Sequence, residues 1–88
     1  MRKPRKVRCV WDNGGKSFDR YTIILRRAWI TVYPLEAAFG LSDNPDKPDG
    51  FSQCCEVIDG PHLGKPIAWM DLPENIQKHV VKRLEEET

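Results

Sequence analysis

Eighty-eight residues leave room for one domain with a thin core, because a chain of this length buries only about 60–65% of the surface its unfolded form exposes. Charged residues make up 31% and the mean hydropathy is negative, which excludes a disordered or membrane-spanning chain, and no apolar run approaches the roughly 18 residues needed to cross a bilayer. The formal net charge is only +1, which argues against a protein that binds polyanions through its overall charge.

Taken from the start, Arg2, Lys3, Arg5 and Lys6 form a dense basic arm. The arm has neither the continuous apolar stretch nor the small-residue cleavage site of a secretory signal, so a cytoplasmic location is expected, in a bacterium or in a host cell. Val7 to Asp12 alternates, with Val7, Cys9 and Trp11 expected on one face and Arg8, Val10 and Asp12 on the other. Asn13-Gly14-Gly15 supplies residues that tolerate positive φ, a strong hairpin signal. The return limb runs from Arg20 to Leu25 and is expected to place Tyr21, Ile23 and Leu25 on one face.

Trp29 to Tyr33 is a third strand candidate, stopped by Pro34. Leu35 to Leu41 contains an Ala pair that suits a helical turn, but it is short and closed by Gly40, and strand or irregular structure is expected. Ser42 to Gly50 is a loop, since its Pro residues fix φ and its Asn and Asp side chains bond their own backbone. Phe51 to Ile58 reads as a further strand, ended by Asp59-Gly60-Pro61. Pro66 to Met70 reads as a short edge strand, because Pro is tolerated only at such positions. Residues 71–88 read as the closing helix. Asp71 and Glu74 have the spacing of a capping box, Pro73 suits the first turn, and Ile76, Val80 and Leu84, with Val81 beside them, build an apolar stripe. Glu74 and Lys78 make an i,i+4 pair, and Glu85-Glu86-Glu87 at the negative end of the helix dipole is expected to fray.

Several constellations bear on chemistry. Cys9, Cys54, Cys55, His62 and His79 lack the two-to-four-residue spacing of zinc knuckles, and adjacent cysteines on a strand point to opposite faces, so reduced thiols and no metal are expected. The Asp-rich loop matches a calcium loop only in the Gly50 to Glu56 spacing, because Pro45 and Lys47 stand where ligands are needed. No segment presents a strained nucleophile beside His and an acid, so the reading leans away from an enzyme, and no cofactor is expected. The basic arm is a candidate nucleic-acid contact, balanced by its simpler reading as a solvated tail. Asp12, Asn13, Gly14, Gly15 and Lys16 stand close to Asp19, Arg20, Tyr21 and Thr22. Together they collect carboxylates, an amide, a guanidinium and a phenol on Gly-rich backbone of the kind that cradles anions, although Asp and Arg in so tight a turn also pair with each other.

At that cluster a likeness emerges. Asp-Asn-Gly-Gly-Lys at 12–16, Asp-Arg-Tyr-Thr at 19–22, Leu-Ser-Asp-Asn-Pro at 41–45, Pro-Asp-Gly-Phe at 48–51, and the later His-Leu-Gly-Lys and Asp-Leu-Pro-Glu resemble a group of short uncharacterised proteins of bacteria, phages and other mobile elements. The resemblance runs through nearly the whole chain in order, while the chain is longer than that pattern between Leu25 and Leu41. It implies a bacterial or phage cytoplasmic setting and carries no activity to transfer.

The resulting expectation is one α+β domain over 1–88: a small antiparallel sheet of three to five strands that starts with a β-hairpin and packs against one C-terminal amphipathic helix. The leading function is a non-enzymatic accessory protein acting through protein–protein contacts at Trp29, Tyr33 and Trp69, with another protein or a second copy as partner. An alternative is a small-molecule or nucleotide site, with or without hydrolysis, built from Asp12, Asn13, Asp19, Arg20 and Tyr21 with Asn44 and Gln53. A third is nucleic-acid binding through Arg2, Lys3, Arg5 and Lys6. No membrane partner is expected.

Overall fold

The computed structural model describes residues 1–17, 19–26, 35–44 and 51–86, without the side chains of Leu35, of 51–56 and of Glu86. Five strands, β1 (Val7–Asp12), β2 (Tyr21–Leu25), β3 (Leu35–Leu41), β4 (Phe51–Ile58) and β5 (Lys65–Ile67), form one antiparallel sheet in the order β4-β3-β2-β1-β5. One helix, α1 (Glu74–Glu86), follows two short 3-10 turns, Pro61–Leu63 and Trp69–Asp71. The α+β architecture expected from the periodicities is the one observed. The strand candidate at Trp29–Tyr33 lies outside the described residues.

The hairpin forms because β1 and β2 are joined by a loop whose glycines take positive φ, 74° at Gly14 and 88° at Gly15. The expected alternation in β1 is corrected by a bulge. Val7 pairs with Leu25 and Cys9 with Ile24, so Arg8 is the extra residue. The bulge puts both Val7 and Val10 in the core, where strict alternation would have separated them. Arg8 instead reaches Asp59 and Glu36.

The core lies between the sheet and α1. Val7, Val10, Tyr21, Ile23, Phe39 and Leu41 from the sheet meet Trp69, Leu72, Ile76, Val80 and Leu84. The apolar stripe at intervals of four is therefore the buried face of the helix, and each fully buried side chain such as Ile76 contributes about 1.5–3 kcal/mol over exposure. The Glu74–Lys78 pair forms at 3.1 Å on the exposed face. The helix start differs from the expected capping box. The Pro73 carbonyl accepts the Ile76 and Gln77 N–H groups, both at 3.0 Å, whereas the Asp71 carboxylate accepts the Ala68 N–H at 3.3 Å and closes the preceding 3-10 turn. Buried Gln77 donates to the carbonyls of Trp69 (3.1 Å) and Leu72 (3.0 Å), so that two chain-reversal carbonyls are satisfied by one side chain.

The expected edge strand at 66–70 is shorter than its sequence pattern. β5 ends at Ile67, and Trp69 turns inward, 4% exposed, its indole N–H donating to the Met1 carbonyl at 2.9 Å. This corrects the expectation of Trp69 as a contact residue: it is part of the core. On the opposite face of the sheet Ile24 and Ala38, paired in register, are also fully buried.

Candidate functional site

The polar residues gather at the two ends of β1. At its C-terminal end lies the hairpin loop. Asp12 Oδ1 accepts Arg20 Nε at 2.9 Å and the Gly14 N–H at 2.8 Å, and its Oδ2 accepts Arg20 Nη2 at 3.3 Å. Arg20 also reaches Asp43 Oδ1 at 3.3 Å and lies 5.2 Å from the Tyr21 ring centre. The guanidinium fork, helped by the Gly14 N–H, holds the Asp12 carboxyl below the usual carboxylate range, while burial pushes the Tyr21 phenol up.

Asn13 organises the loop. Its Oδ1 accepts the Gly15 and Lys16 N–H groups at 2.8 and 3.1 Å, and its Nδ2 donates to Ser17 Oγ at 2.7 Å and the Asp19 carbonyl at 3.0 Å. The three N–H groups of Gly14, Gly15 and Lys16, the ones that would cradle an anion, are thus taken by Asp12 and Asn13. The hairpin loop binds itself.

Of the residues expected to form a ligand site, Asp12, Asn13, Arg20 and Tyr21 come together. Asp19 does not join them. Its carboxylate lies against Gly40, so close that a Cβ there would stand 2.9 Å from Oδ2, and its Oδ1 is buried with no hydrogen-bond partner. Asn44 is exposed and uses its N–H on Ser42 Oγ at 3.2 Å, and the Gln53 side chain lies outside the described residues. Trp29 and Tyr33 lie outside them as well.

What the sequence pattern missed is the far wall. β5 pairs with β1 so that Lys65 stands opposite Asp12, and the hairpin loop and the 61–67 segment enclose a groove of about 510 Å³ lined by Asp12, Asn13, Gly14, Lys16, Pro61, Gly64, Lys65 and Ile67. Gly64 makes this approach feasible. Its φ is 112°, and a Cβ would sit 2.3 Å from the Asp12 carbonyl oxygen.

At the other end of β1 is the basic arm. Four hydrogen bonds tie its backbone down: Val7 N–H to Pro4, Arg26 N–H to Lys6, Arg26 Nε to Arg5 and the Trp69 indole to Met1, each ending on a carbonyl of the arm. Hollows of about 630 and 320 Å³ flank Pro4, floored by Val81 and Leu84. The arm's backbone is thus attached to the fold, while its Arg and Lys side chains stay exposed.

The cations of the molecule divide accordingly. Arg8, Arg20 and Lys78 are paired with carboxylates, at 3.2, 2.9 and 3.1 Å. Arg2, Lys3, Arg5, Lys6 and Arg26 are exposed and form no ion pair with any described residue. Cys9 is half-buried beside Asp59, and burial foremost pushes its thiol up, away from the reactive thiolate.

The fold places the chain among small α+β proteins built from one antiparallel sheet and one helix. No family model, no curated protein and no solved structure matches it. Among the described residues no helix is long and apolar enough to cross a membrane.

Proposed function

We propose that the chain is a binding protein that contacts a polyanionic macromolecule, nucleic acid foremost, through the arm at residues 1–6 together with Arg26. The observation that carries this reading is the contrast between the arm's tied backbone and its untied charges. Its carbonyls are engaged by Val7, Arg26 and Trp69, while its cationic side chains, and that of Arg26, have no carboxylate partner among the described residues. Cations held close together without counter-charges raise the local potential, and phosphates relieve it by displacing condensed counterions. A net charge of +1 is compatible with this, since it sums 14 cations and 13 carboxylates over the whole chain and does not depend on where they sit. The version based on protein contacts is less supported, because Trp69, one of its three aromatics, belongs to the core.

The test is fluorescence anisotropy with labelled duplex and single-stranded oligonucleotides of mixed sequence. Neutralising four to five phosphates gives a log–log salt slope of about −4 on duplex and about −3 on single strands. The control is the quadruple variant Arg2→Gln, Lys3→Gln, Arg5→Gln, Lys6→Gln, which keeps the backbone carbonyls that anchor the arm. It is expected to bind weakly at every salt concentration. Oligonucleotide binding that survives the four substitutions, or none at low salt in the unaltered protein, rejects the reading.

A further inference from the structure

We infer that the groove between the hairpin loop and β5 is a second, independent site, one that takes a small organic oxyanion, a phosphate or carboxylate on an apolar body. The argument begins with charge. Three charged side chains line the groove: Asp12, Lys16 and Lys65. The Asp12 charge is countered by Arg20, which grips both its oxygens at 2.9 and 3.3 Å from outside the groove lining and is shared with Asp43 at 3.3 Å. Lys16 and Lys65 are exposed and have no ion-pair partner among the described residues. The groove is therefore lined by two lysines that no carboxylate among the described residues pairs with.

Shape and rigidity follow from the same contacts. At about 510 Å³ the space falls within the roughly 300–1,000 Å³ usual for small-molecule sites, so it admits a ligand larger than a bare ion. Pro61 and Ile67 add apolar lining to the same space, which favours an anion with a hydrophobic part. The two sides cannot drift apart freely. β5 is paired with β1 from Val10↔Ile67 to Asp12↔Lys65, and the Gly64 backbone is in direct contact with Asp12 and Asn13. The two lysines are thus mounted on segments already ordered by the fold, which lowers the cost of binding. The loop N–H groups do not take part, since Asp12 and Asn13 use them; recognition rests on the two ammonium groups and the apolar lining.

The experiment is an ¹⁵N–¹H NMR titration of the full chain with phenyl phosphate and, separately, benzoate. Saturable shifts confined to residues 12–16 and 61–67 are expected, with Lys16→Gln and Lys65→Gln together weakening binding about tenfold or more. Tighter binding of phenyl phosphate identifies a phosphate ligand, and tighter binding of benzoate a carboxylate. The quadruple arm variant is expected to bind both probes unchanged, so the groove and the nucleic-acid reading stand or fall separately. Shifts that sodium chloride reproduces, shifts located on residues 2–6 instead, shifts unaffected by the lysine substitutions, or no shifts would each overturn the inference.

Discussion

Gly64 and Asp12 meet where the last strand is pinned to the first, and both are open to single-residue tests. Any side chain at 64 faces two penalties at once: a φ of 112° that L-residues rarely adopt, and backbone atoms of Asp12 and Asn13 at 2.3 to 2.7 Å, which cannot swing aside. Gly64→Ala is expected to lose about 2–4 kcal/mol in urea denaturation; a variant as stable as the parent would mean that the turn is not packed on the hairpin. Asp12 offers a pH test. Its folded-state pKa lies below the unfolded value of about 3.9, so the Arg20 interaction adds stability above that pH and loses it as pH falls through the lower folded value. The two side chains are 20% and 33% exposed, so solvent screening keeps the pair's contribution small. Thermal melts of the parent and of Asp12→Asn should therefore differ at pH 6 and draw together as the pH falls below the ordinary carboxylate range. A gap that persists unchanged into acid would assign the loss to the loop's hydrogen bonds rather than to the charge.

At the scale of elements, the arm and α1 depend on each other. Trp69 is buried and its indole N–H has the Met1 carbonyl as acceptor, while Val81 and Leu84 of the helix floor the hollows beside Pro4. Removing residues 1–6 leaves that N–H without its acceptor and uncovers apolar surface. The truncated chain is expected to be about 1–2 kcal/mol less stable, read from the shift in its denaturation midpoint. A solvated tail would come off at no cost, so an unchanged midpoint would return the arm to that description. The outcome also bears on function, because it explains why charge-neutral substitutions test the nucleic-acid reading more cleanly than deletion does.

For the whole molecule the informative quantity is the placement of charge rather than its sum. Five cations crowd one end of β1 with no carboxylate partner among the described residues, and like charges at short range oppose the folded state that holds them together. Raising sodium chloride from about 10 to 150 mM shortens the Debye length from about 30 to 8 Å and screens that repulsion. The parent is expected to gain more melting temperature over this range than the quadruple arm variant, whose surviving ion pairs are screened equally in both. Equal salt responses would show that the arm's cations do not feel one another.

Short-range chemistry carried what could be read without coordinates. The hairpin was legible because Asn13-Gly14-Gly15 separates two β-patterned runs, and the helix because Ile76, Val80 and Leu84 recur every four residues; both signals lie within one element. The self-pairing of Asp12 and Arg20 was likewise weighed from their proximity across a turn. What stayed hidden depends on residues far apart in the chain. The bulge at Arg8 answers to pairing with β2 and so brought Val10 onto the core face beside Val7, where alternation had separated them. Trp69 became core because α1 and Met1 close over it, and the groove exists only because Lys65 pairs opposite Asp12. Local periodicity determines which faces can be buried, since it follows from backbone geometry alone. Tertiary contact decides which neighbours meet there, because strand pairing and the burial of Trp69 depend on groups brought together only by the folded chain.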